Sequence, residues 1–353
     1  MDNVVKAIKI EGRMVGPGYP CFIIAEAGVN HNGDLETALG LIDAAAAAGA
    51  DAVKFQTFVA ERLVTRDAPK AEYQTRSTGA DESQYEMLSR LQLSHEAHRR
   101  LMGHCQRKGI LFLSTPFDEE SAELLEKLDV AAFKISSGEI TNLPFLSHLA
   151  RKNRPMIIST GMSDLSEVES AVHAVESAGN HSFILLQCVS SYPANPADAN
   201  LRAMGTMERA FGVPVGYSDH TPGIAVAIAA VALGACLIEK HLTLDRTSPG
   251  PDHQASLEPD ELRVLVEGIR AVEAALGHGR KEPAPIEANT AAVARKSLVA
   301  ARDISSGTIL TEEMIAIKRP GTGLPPSMLP HLVGRAARTD IAANTIFQLE
   351  LLA

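Results

Sequence analysis

Two lysines interrupt short apolar runs of the sequence and are the sharpest candidates for chemistry. Lys54 lies in AVKFQTF and Lys134 lies in AAFKISSG, so each ammonium group is expected to be partly buried. Burying an unpaired charge is costly, and each lysine therefore needs a carboxylate partner or an anionic ligand. With the small hydroxyl side chains that end neighbouring runs, the two lysines could cradle phosphate and carboxylate oxygens. Structural ion pairs and a Schiff-base lysine are the alternatives.

Two histidines end β-rich runs that follow one another along the chain. His220 lies in GYSDHTPG and His241 lies in IEKHLTLD, with Asp219 and Glu239 beside them in sequence. Imidazole groups on neighbouring strands can share one divalent metal ion and leave positions open for water or substrate. Two histidines are too few for a closed zinc site, so we expect a labile ion such as Mn²⁺ or Mg²⁺. Separate structural histidines are the alternative.

Each of eight β-rich runs ends in side chains that can bond or titrate. One such residue means little, because polar side chains also cap strands for structural reasons. Eight run ends that meet at one edge of a sheet would form a site. The residues at these ends are Glu26, Lys54, Gln56, Thr115, Lys134, Ser137, Ser159, Ser190, Tyr192, Ser218, His220, Glu239 and His241.

The elements that must position these residues alternate along most of the chain. From Cys21 to about Leu276, the eight β-rich runs are separated by Ala-, Leu- and Glu-rich stretches with helical spacing. This alternation predicts βα units and a parallel sheet. Eight units within roughly 250 residues predict an α/β fold of the (β/α)8 TIM-barrel type, whose active site lies at the carboxyl ends of the strands. A doubly wound open sheet is the alternative, but the sequence contains no G-x-G-x-x-G turn.

A long insertion follows the second β-rich run. Residues 59–91 are charged and polar, and they form a connection much longer than the ~2–6 residues usual after a barrel strand. In a barrel this insertion lies on the face that carries the active site. It is therefore either part of the site or a solvated surface loop.

The end of the sequence differs in style from the rest. A Gly- and Pro-rich stretch follows Leu276, and after it short β-branched runs are broken by Gly and Pro turns. We predict a catalytic barrel domain over residues 1–278, a linker over 279–294 and a small β-rich domain over 295–353. A domain this small is marginally stable alone and gains from docking.

Composition excludes several classes of protein. The chain of 353 residues has 33 Lys and Arg against 43 Asp and Glu, a net charge of -10, with no basic run. This argues against nucleic acid as a partner. The four cysteines are far apart, the N-terminus lacks a signal-peptide core, and the longest apolar run is shorter than the ~20 residues that span a bilayer. We expect a cytoplasmic protein without a membrane partner.

The motifs match a known family in order along the chain. They are AEAGVNHNGD, DAVKFQTF, STPFD, KISSGEITNLP, STGMS, VGYSDHTPG and IEKHLTLDRTSPGPDH. The sequence resembles the sialic acid synthases, meaning the N-acetylneuraminate synthases and their legionaminate and pseudaminate relatives. Its tail, KSLVAARDISSGTILTEEMIAIKRPGTG, resembles their C-terminal antifreeze-like domain (SAF, a β-clip fold).

This resemblance implies a transferase that condenses phosphoenolpyruvate with an N-acetylated amino sugar to give a nonulosonic acid and phosphate. It also implies a domain-swapped homodimer. The residues implied for phosphoenolpyruvate are Lys54, Thr115, Lys134, Ser137, Ser159, Ser190 and Ser218. Some relatives carry Asn at the position of Ser190. Gln187, where many relatives have His, is left out of the site.

The remaining implied roles concern the metal, the sugar and a proton. The resemblance places a metal on His220 and His241, usually Mn²⁺, with Mg²⁺ or Co²⁺ as alternatives. Glu26 is the candidate to orient and deprotonate water or to handle a proton at the reacting methylene carbon. The residues implied for the sugar are Gln56, Tyr192, Glu239, Asp252 and, reaching in from a partner subunit, Arg319.

We therefore expect an N-acetylneuraminate synthase that uses the open-chain aldehyde of N-acetylmannosamine. The first alternative is an N,N'-diacetyllegionaminate or pseudaminate synthase that uses a 2,4-diacetamido-trideoxyhexose. The insertion resembles the neuraminate and legionaminate groups more than the pseudaminate group. A non-catalytic sugar-binding protein is a distant alternative.

Overall fold

The computed structural model describes residues 5–79 and 81–353. The chain divides into two units, Met1–Gly277 and His278–Ala353. Within the predicted linker over 279–294, a 3₁₀ turn at Pro285–Glu287 leads into a short helix, Ala288–Ala294. The exact domain limits stay a prediction.

The strands of the first unit begin with a hairpin and continue with the strands of one large sheet, and the second unit adds a short pair. Most strands of the large sheet are buried along their whole length, as expected for a parallel sheet covered on both faces. The strands are β1 Ile8–Ile10, β2 Arg13–Val15, β3 Phe22–Gly28, β4 Ala52–Thr57, β5 Leu111–Pro116, β6 Phe133–Ile135, β7 Met156–Ser159, β8 Phe183–Cys188, β9 Val215–Asp219, β10 Leu237–His241, β11 Ser297–Ala300 and β12 Ile315–Lys318.

Helices connect the strands, and several begin at side-chain caps. Asp34, Ser94, Asp118 and Asp164 each accept a hydrogen bond from the backbone N–H three residues later, which satisfies a free donor of the first turn. The helices are α1 Leu35–Ala47, α2 Ala60–Leu63, α3 Glu72–Thr78, α4 Gln84–Leu91, α5 His95–Lys108, α6 Glu119–Lys127, α7 Leu143–Ala150, α8 Leu165–Ser177, α9 Arg202–Phe211, α10 Ala225–Ala232, α11 Pro259–Leu276, α12 Ala288–Ala294 and α13 Leu329–Leu332.

The large sheet is an eight-stranded parallel barrel. Its strands follow the order β5-β4-β3-β10-β9-β8-β7-β6, and β5 lies beside β6, so the two ends of the order meet. The predicted TIM barrel is thereby confirmed. The hairpin of β1 and β2 contributes Ile8, Ile10 and Val15 to a cluster with Phe22 and Leu237, the first residues of β3 and β10. This packing fills the amino-terminal end of the barrel.

The register of the strands aligns the candidate residues. Glu26 on β3 lies opposite Lys54 on β4 and opposite His241 on β10. Ser218 on β9 lies opposite Glu239 on β10. Neighbouring strands thus bring a carboxylate, an ammonium group and an imidazole to the carboxyl end of the barrel.

The second unit is small and β-rich, as predicted. β11 and β12 pair antiparallel, and isolated bridges such as Val299 with Ile346 and Ile304 with Ile341 extend the pairing. Its core includes Leu298 and Phe347, both completely buried. Short pairings around one apolar cluster account for the broken β-branched pattern of the sequence.

Within the described residues, no helix is long and apolar enough to cross a membrane. The four cysteines are all buried and free. Each lies in an apolar stretch, where a free cysteine packs as a small hydrophobic side chain.

A buried ion pair joins β9 and β10 next to the two histidines. Lys240 Nζ donates to Asp219 Oδ2 at 2.8 Å, and neither side chain is exposed. Lys240 also donates to the carbonyl of Thr221, whose N–H and hydroxyl donate to Asp219 Oδ1 at 2.9 and 2.8 Å. The sequence analysis placed Asp219 beside the metal candidates, but the structure directs its carboxylate to Lys240 and Thr221.

Replacing Lys240 by Met should destabilise the barrel strongly, because the Asp219 carboxylate then stays buried without a counter-charge. We expect a loss of about 3–5 kcal/mol in the free energy of unfolding, measured by urea unfolding followed by circular dichroism. The double variant Asp219→Asn/Lys240→Met should recover part of it. Lys9→Met, on an exposed position of β1, is the matched control. A Lys240→Met loss no larger than the control's would contradict the assignment.

Candidate active site

A cavity of about 430 Å³ opens at the carboxyl ends of the barrel strands. The structure brings every sequence-predicted site residue of the barrel to its lining, and Arg319 belongs to the second unit. Gln187 instead donates to the carbonyl of Ala199 at 3.1 Å and does not line this cavity. The predicted residues that line it are Glu26, Lys54, Gln56, Thr115, Lys134, Ser137, Ser159, Ser190, Tyr192, Ser218, His220, Glu239, His241 and Asp252.

Lys54 is held by a carboxylate and a hydroxyl group. Its Nζ lies 2.7 Å from Glu26 Oε2 and donates to Thr115 Oγ1 at 3.1 Å. Glu239 Oε2 lies 3.9 Å from the same Nζ. All three charged side chains are at most 5% exposed, so their attraction is little screened by water.

Lys134 shares Glu239 with Lys54. Its Nζ donates to Ser159 Oγ at 2.7 Å and to the carbonyl of Ile135 at 3.1 Å, and it lies 3.5 Å from Glu239 Oε1. Ser218 donates to the same carboxylate oxygen at 3.0 Å. Two ammonium groups and two carboxylates thus form one buried network, which matches the ion-pair alternative as well as the anion cradle. Because the network lines a cavity that an anion could enter, the arrangement favours an anion-binding cradle over purely structural ion pairs.

Burial and neighbouring charges shift the pKa values of Glu26 and Glu239 in opposite directions. Burial raises the pKa of Glu26 to about 7, although Lys54 opposes the shift and Glu239 adds to it. Burial acts on Glu239 in the same direction, but Lys134 and Lys54 outweigh it and lower its pKa. Glu239 is therefore a fixed anion between the lysines, while Glu26 can exchange a proton near neutral pH.

The pKa values of the two lysines are also shifted in opposite directions. Burial alone would lower the pKa of Lys54, but the carboxylates of Glu239 and Glu26 raise it, so this ammonium group stays charged. At Lys134 burial prevails over the attraction of Glu239 and lowers the pKa. An added anion would favour the charged form of both.

The two histidines face each other as neutral imidazoles. Their ring centroids are 5.4 Å apart. Burial lowers the pKa of His220 to about 4 and that of His241 well below its ordinary value. His220 Nδ1 donates to the carbonyl of Val189 at 2.6 Å, which leaves a lone pair on Nε2. His241 Nδ1 is buried without a hydrogen-bond partner and lies 3.9 Å from Asp252 Oδ2.

This donor set fits a labile divalent metal. A metal ion binds the neutral form of imidazole, which is the form of both histidines here. Nδ1 of His241 has no hydrogen-bond partner and is therefore available to bind such an ion. Within residues 5–79 and 81–353 there is no group of three or more His, Cys, Asp or Glu side chains arranged to hold a metal. A metal held by the two histidines would therefore take its other ligands from substrate or water.

Tyr192 packs against His220, and Tyr73, which no sequence pattern predicted, packs against Tyr192. The Tyr192 ring centroid lies 4.1 Å from that of His220 and 4.9 Å from that of Tyr73. Tyr73 lies on α3, inside the insertion, where no periodic pattern singles it out. Asp252 lies nearby, and burial raises the pKa of its carboxyl group to about 6.

A glycine allows three polar side chains to close together. Ser137 Oγ accepts from the N–H of Gly161 at 2.9 Å and lies 3.1 Å from Cys188 Sγ. A Cβ at Gly161 would lie 2.4 Å from Ser190 Oγ and 2.8 Å from Ser137 Oγ. Only glycine fits this position in STGMS without displacing its neighbours.

One side of the cavity is apolar, and the insertion over 59–91 builds most of it. Its side chains belong to a small apolar cluster that is separate from the cores of the barrel. The insertion therefore borders the cavity, and its location agrees with the active-site alternative. We call the following side chains the apolar wall: Leu63, Val64, Met87, Leu88, Leu91 and Phe117.

The barrel carries buried lysines, carboxylates and an imidazole pair in one cavity at the carboxyl ends of its strands, an arrangement typical of an enzyme active site. A model of the NeuB family matches residues 41–281, and a model of the SAF domain matches residues 295–353. The chain belongs to the NeuB family, whose members are phosphoenolpyruvate-dependent nonulosonic acid synthases acting on an acetamido sugar. The predicted family and its C-terminal domain are confirmed, and the non-catalytic alternative is set aside.

Relatives at high coverage support the same family. The chain is 48% identical to an N,N'-diacetyllegionaminic acid synthase of Legionella pneumophila, over 94% of each chain. It is 40% identical to human N-acetylneuraminate-9-phosphate synthase, over 97% of this chain and 95% of the relative. Among solved structures, it resembles an N-acetylneuraminic acid synthetase of Leptospira borgpetersenii with a TM-score of 0.72 and 38% identity, over 82% of this chain and 96% of that one.

The carboxyl group of Glu26 should lose its proton as the pH of the ligand-free protein rises through about 7. Burial disfavours its carboxylate more than Lys54 favours it, so the neutral acid prevails below that pH. Infrared difference spectra of wild type minus Glu26→Gln should show a protonated carboxyl band that gives way to carboxylate bands above it.

Glu123→Gln is the control for this titration, because Glu123 does not line the cavity and Lys152 lowers the pKa of its carboxyl group. Wild type minus Glu123→Gln should show no protonated band in the same pH range. A Glu26 band that disappears near the ordinary value of 4.5 would contradict the assignment.

Proposed function

We propose that the chain is a synthase of the N,N'-diacetyllegionaminate type, which condenses phosphoenolpyruvate with the open-chain aldehyde of a 2,4-diacetamido-2,4,6-trideoxyhexose. The observation that carries the choice of sugar is the 48% identity to a legionaminic acid synthase, against 40% to an N-acetylneuraminate-9-phosphate synthase. Sequence analysis put N-acetylmannosamine first, and the comparisons support its alternative better.

Phosphoenolpyruvate is the ligand that suits the lysine cradle. We assign its phosphate and carboxylate to Lys54 and Lys134 with the surrounding hydroxyl groups, and Ser190 joins them at the same cavity. In the free protein Glu239, together with the ionised form of Glu26, neutralises these lysines. An incoming anion can take over part of that neutralisation, because each ammonium group has further hydrogen-bond donors. The other assigned hydroxyl groups are those of Thr115, Ser137, Ser159 and Ser218.

We assign a divalent metal, Mn²⁺ first among the candidates, to His220 and His241. Enzymes of the NeuB family are typically metal-dependent. A divalent metal supplies Lewis acidity, which makes an aldehyde carbon more electrophilic. The chain contributes two neutral imidazoles, and the Val189 carbonyl fixes the tautomer of His220 so that Nε2 can bind.

The reaction forms one C–C bond and exchanges the C–O bond to phosphate for a C–O bond to water, whose two protons end on the new hydroxyl group and on phosphate. Carbon 3 of phosphoenolpyruvate attacks the aldehyde carbon, whose oxygen becomes the new hydroxyl group. Water adds at carbon 2, and phosphate leaves with its bridging oxygen. We assign Glu26 to a proton in this sequence, either from the attacking water or at the reacting methylene carbon, since its pKa of about 7 suits proton exchange.

The sugar would lie between the polar floor and the mouth of the cavity. We assign its polar groups to Gln56, Tyr192, Glu239 and Asp252, which all line the cavity. Arg319 lies beyond β12 in the second unit, and we propose that it reaches the sugar of a partner subunit in a domain-swapped homodimer. The buried free cysteines suit a cytoplasmic enzyme.

Phosphate release from phosphoenolpyruvate with Mn²⁺ should be fastest with 2,4-diacetamido-2,4,6-trideoxymannose. We expect kcat/KM for this sugar to exceed that for N-acetylmannosamine by at least about tenfold, because pocket contacts typically discriminate by 1–3 kcal/mol. Preference for N-acetylmannosamine would restore the neuraminate assignment. Reactions without sugar give the background.

Removing either histidine should remove metal binding without unfolding the barrel. In electron paramagnetic resonance titrations of the free Mn²⁺ signal, we expect His220→Ala and His241→Ala to bind Mn²⁺ more than about 100-fold more weakly than wild type. His181→Ala is the matched control, because this histidine is 73% exposed. Wild-type affinity in either active-site variant would contradict the metal assignment.

A further inference from the structure

We propose that the apolar wall selects the sugar by its sixth carbon and receives a methyl group there in preference to a hydroxymethyl group. This inference rests on the proposed function and adds the part of the cavity that reads the deoxy end of the substrate. It concerns carbon 6 alone, so it can be tested apart from the acetamido group at carbon 4.

The apolar wall is held in place by burial and by the cap of α4. Met87 and Leu91 are each 1% exposed and lie on one face of α4, while Leu63 and Val64 are only half-buried. The start of α4 is fixed by a reciprocal pair in which Ser83 Oγ accepts from the N–H of Glu86 and the Glu86 carboxylate accepts from the N–H of Ser83.

Further contacts tie α2 to its neighbours. The N–H of Ala60 donates to Gln92 Oε1 at 3.0 Å, and the N–H of Val59 donates to Asp118 Oδ2 at 3.2 Å. Phe117 packs edge-on against Phe58 with ring centroids 6.2 Å apart. These contacts fix the backbone around the apolar wall, whose own side chains carry no N–H or O–H group.

The placement of the sugar is inferred from the residues that line the cavity. The histidines and lysines occupy the floor, where the aldehyde carbon must meet phosphoenolpyruvate. An extended sugar fixed at carbon 1 directs carbon 6 away from that floor, and the apolar wall lines the same cavity. Gln74 and Gln84 of the insertion also line the cavity.

A methyl group and a hydroxymethyl group differ sharply against such a surface. The methyl group gains from leaving water, whereas a hydroxyl group without a partner loses its hydrogen bonds to water. An apolar pocket rejects an added hydroxyl group by roughly 100-fold at most. We therefore expect kcat/KM to favour the 6-deoxy sugar by about 10- to 100-fold.

The test compares two sugars that differ only at carbon 6, namely 2-acetamido-2,6-dideoxymannose and N-acetylmannosamine. Phosphate release by the full-length protein with Mn²⁺ and saturating phosphoenolpyruvate gives kcat/KM for each. A ratio near one, or a preference for the 6-hydroxyl sugar, overturns the role of the wall and leaves the synthase function intact. No phosphate release with these sugars or with the diacetamido sugar overturns the proposed function, and the inference with it.

A variant locates the effect on the wall. Val64→Thr keeps the shape of the side chain and adds a hydroxyl group that can serve carbon 6. We expect it to reduce the ratio by about 3- to 10-fold, the value of one hydrogen bond, mainly by improving use of N-acetylmannosamine. Val264→Thr, at a 44% exposed position of α11, is the matched control and should keep the wild-type ratio. An unchanged ratio in Val64→Thr contradicts the inference.

Discussion

The site depends on keeping two ammonium groups charged although both are almost completely buried in the barrel. Lys54 and Lys134 can be buried only because Glu26 and Glu239 lie within reach, and those carboxylates are in place because the register of β3, β4 and β10 puts them there. Burial then acts unequally on the two acids. Glu239, between both lysines, remains an anion, and Glu26 is left with a proton to exchange. The strand register therefore determines both which charges pair and which acid can exchange a proton.

Sequence reasoning reached the barrel and the floor of its cavity because both follow from short-range patterns. Strand and helix periods repeat eight times, and a polar side chain at the end of a parallel strand has one place to go. The same alternation explains the position of Asp219. Successive residues of a strand point to opposite faces, so Asp219 turns away from the cavity and meets Lys240, which lies between two inward-facing residues of β10.

The structure of the insertion over 59–91 could not be predicted from such short-range patterns. Tyr73 and most of the apolar wall lie within 59–91, but Tyr73 packs against Tyr192 and the wall includes Phe117, both distant in sequence. No local period encodes a contact of that kind. Arg319 belongs to the second unit, so its role rests on resemblance alone.

The apolar wall belongs to a cluster of its own, distinct from the cores that hold the barrel together. The residues proposed to read carbon 6 of the sugar therefore pack separately from the residues that support the lysines and histidines. On that assignment, specificity and chemistry reside in different packing units of one chain, so that a change in the first need not reach the second.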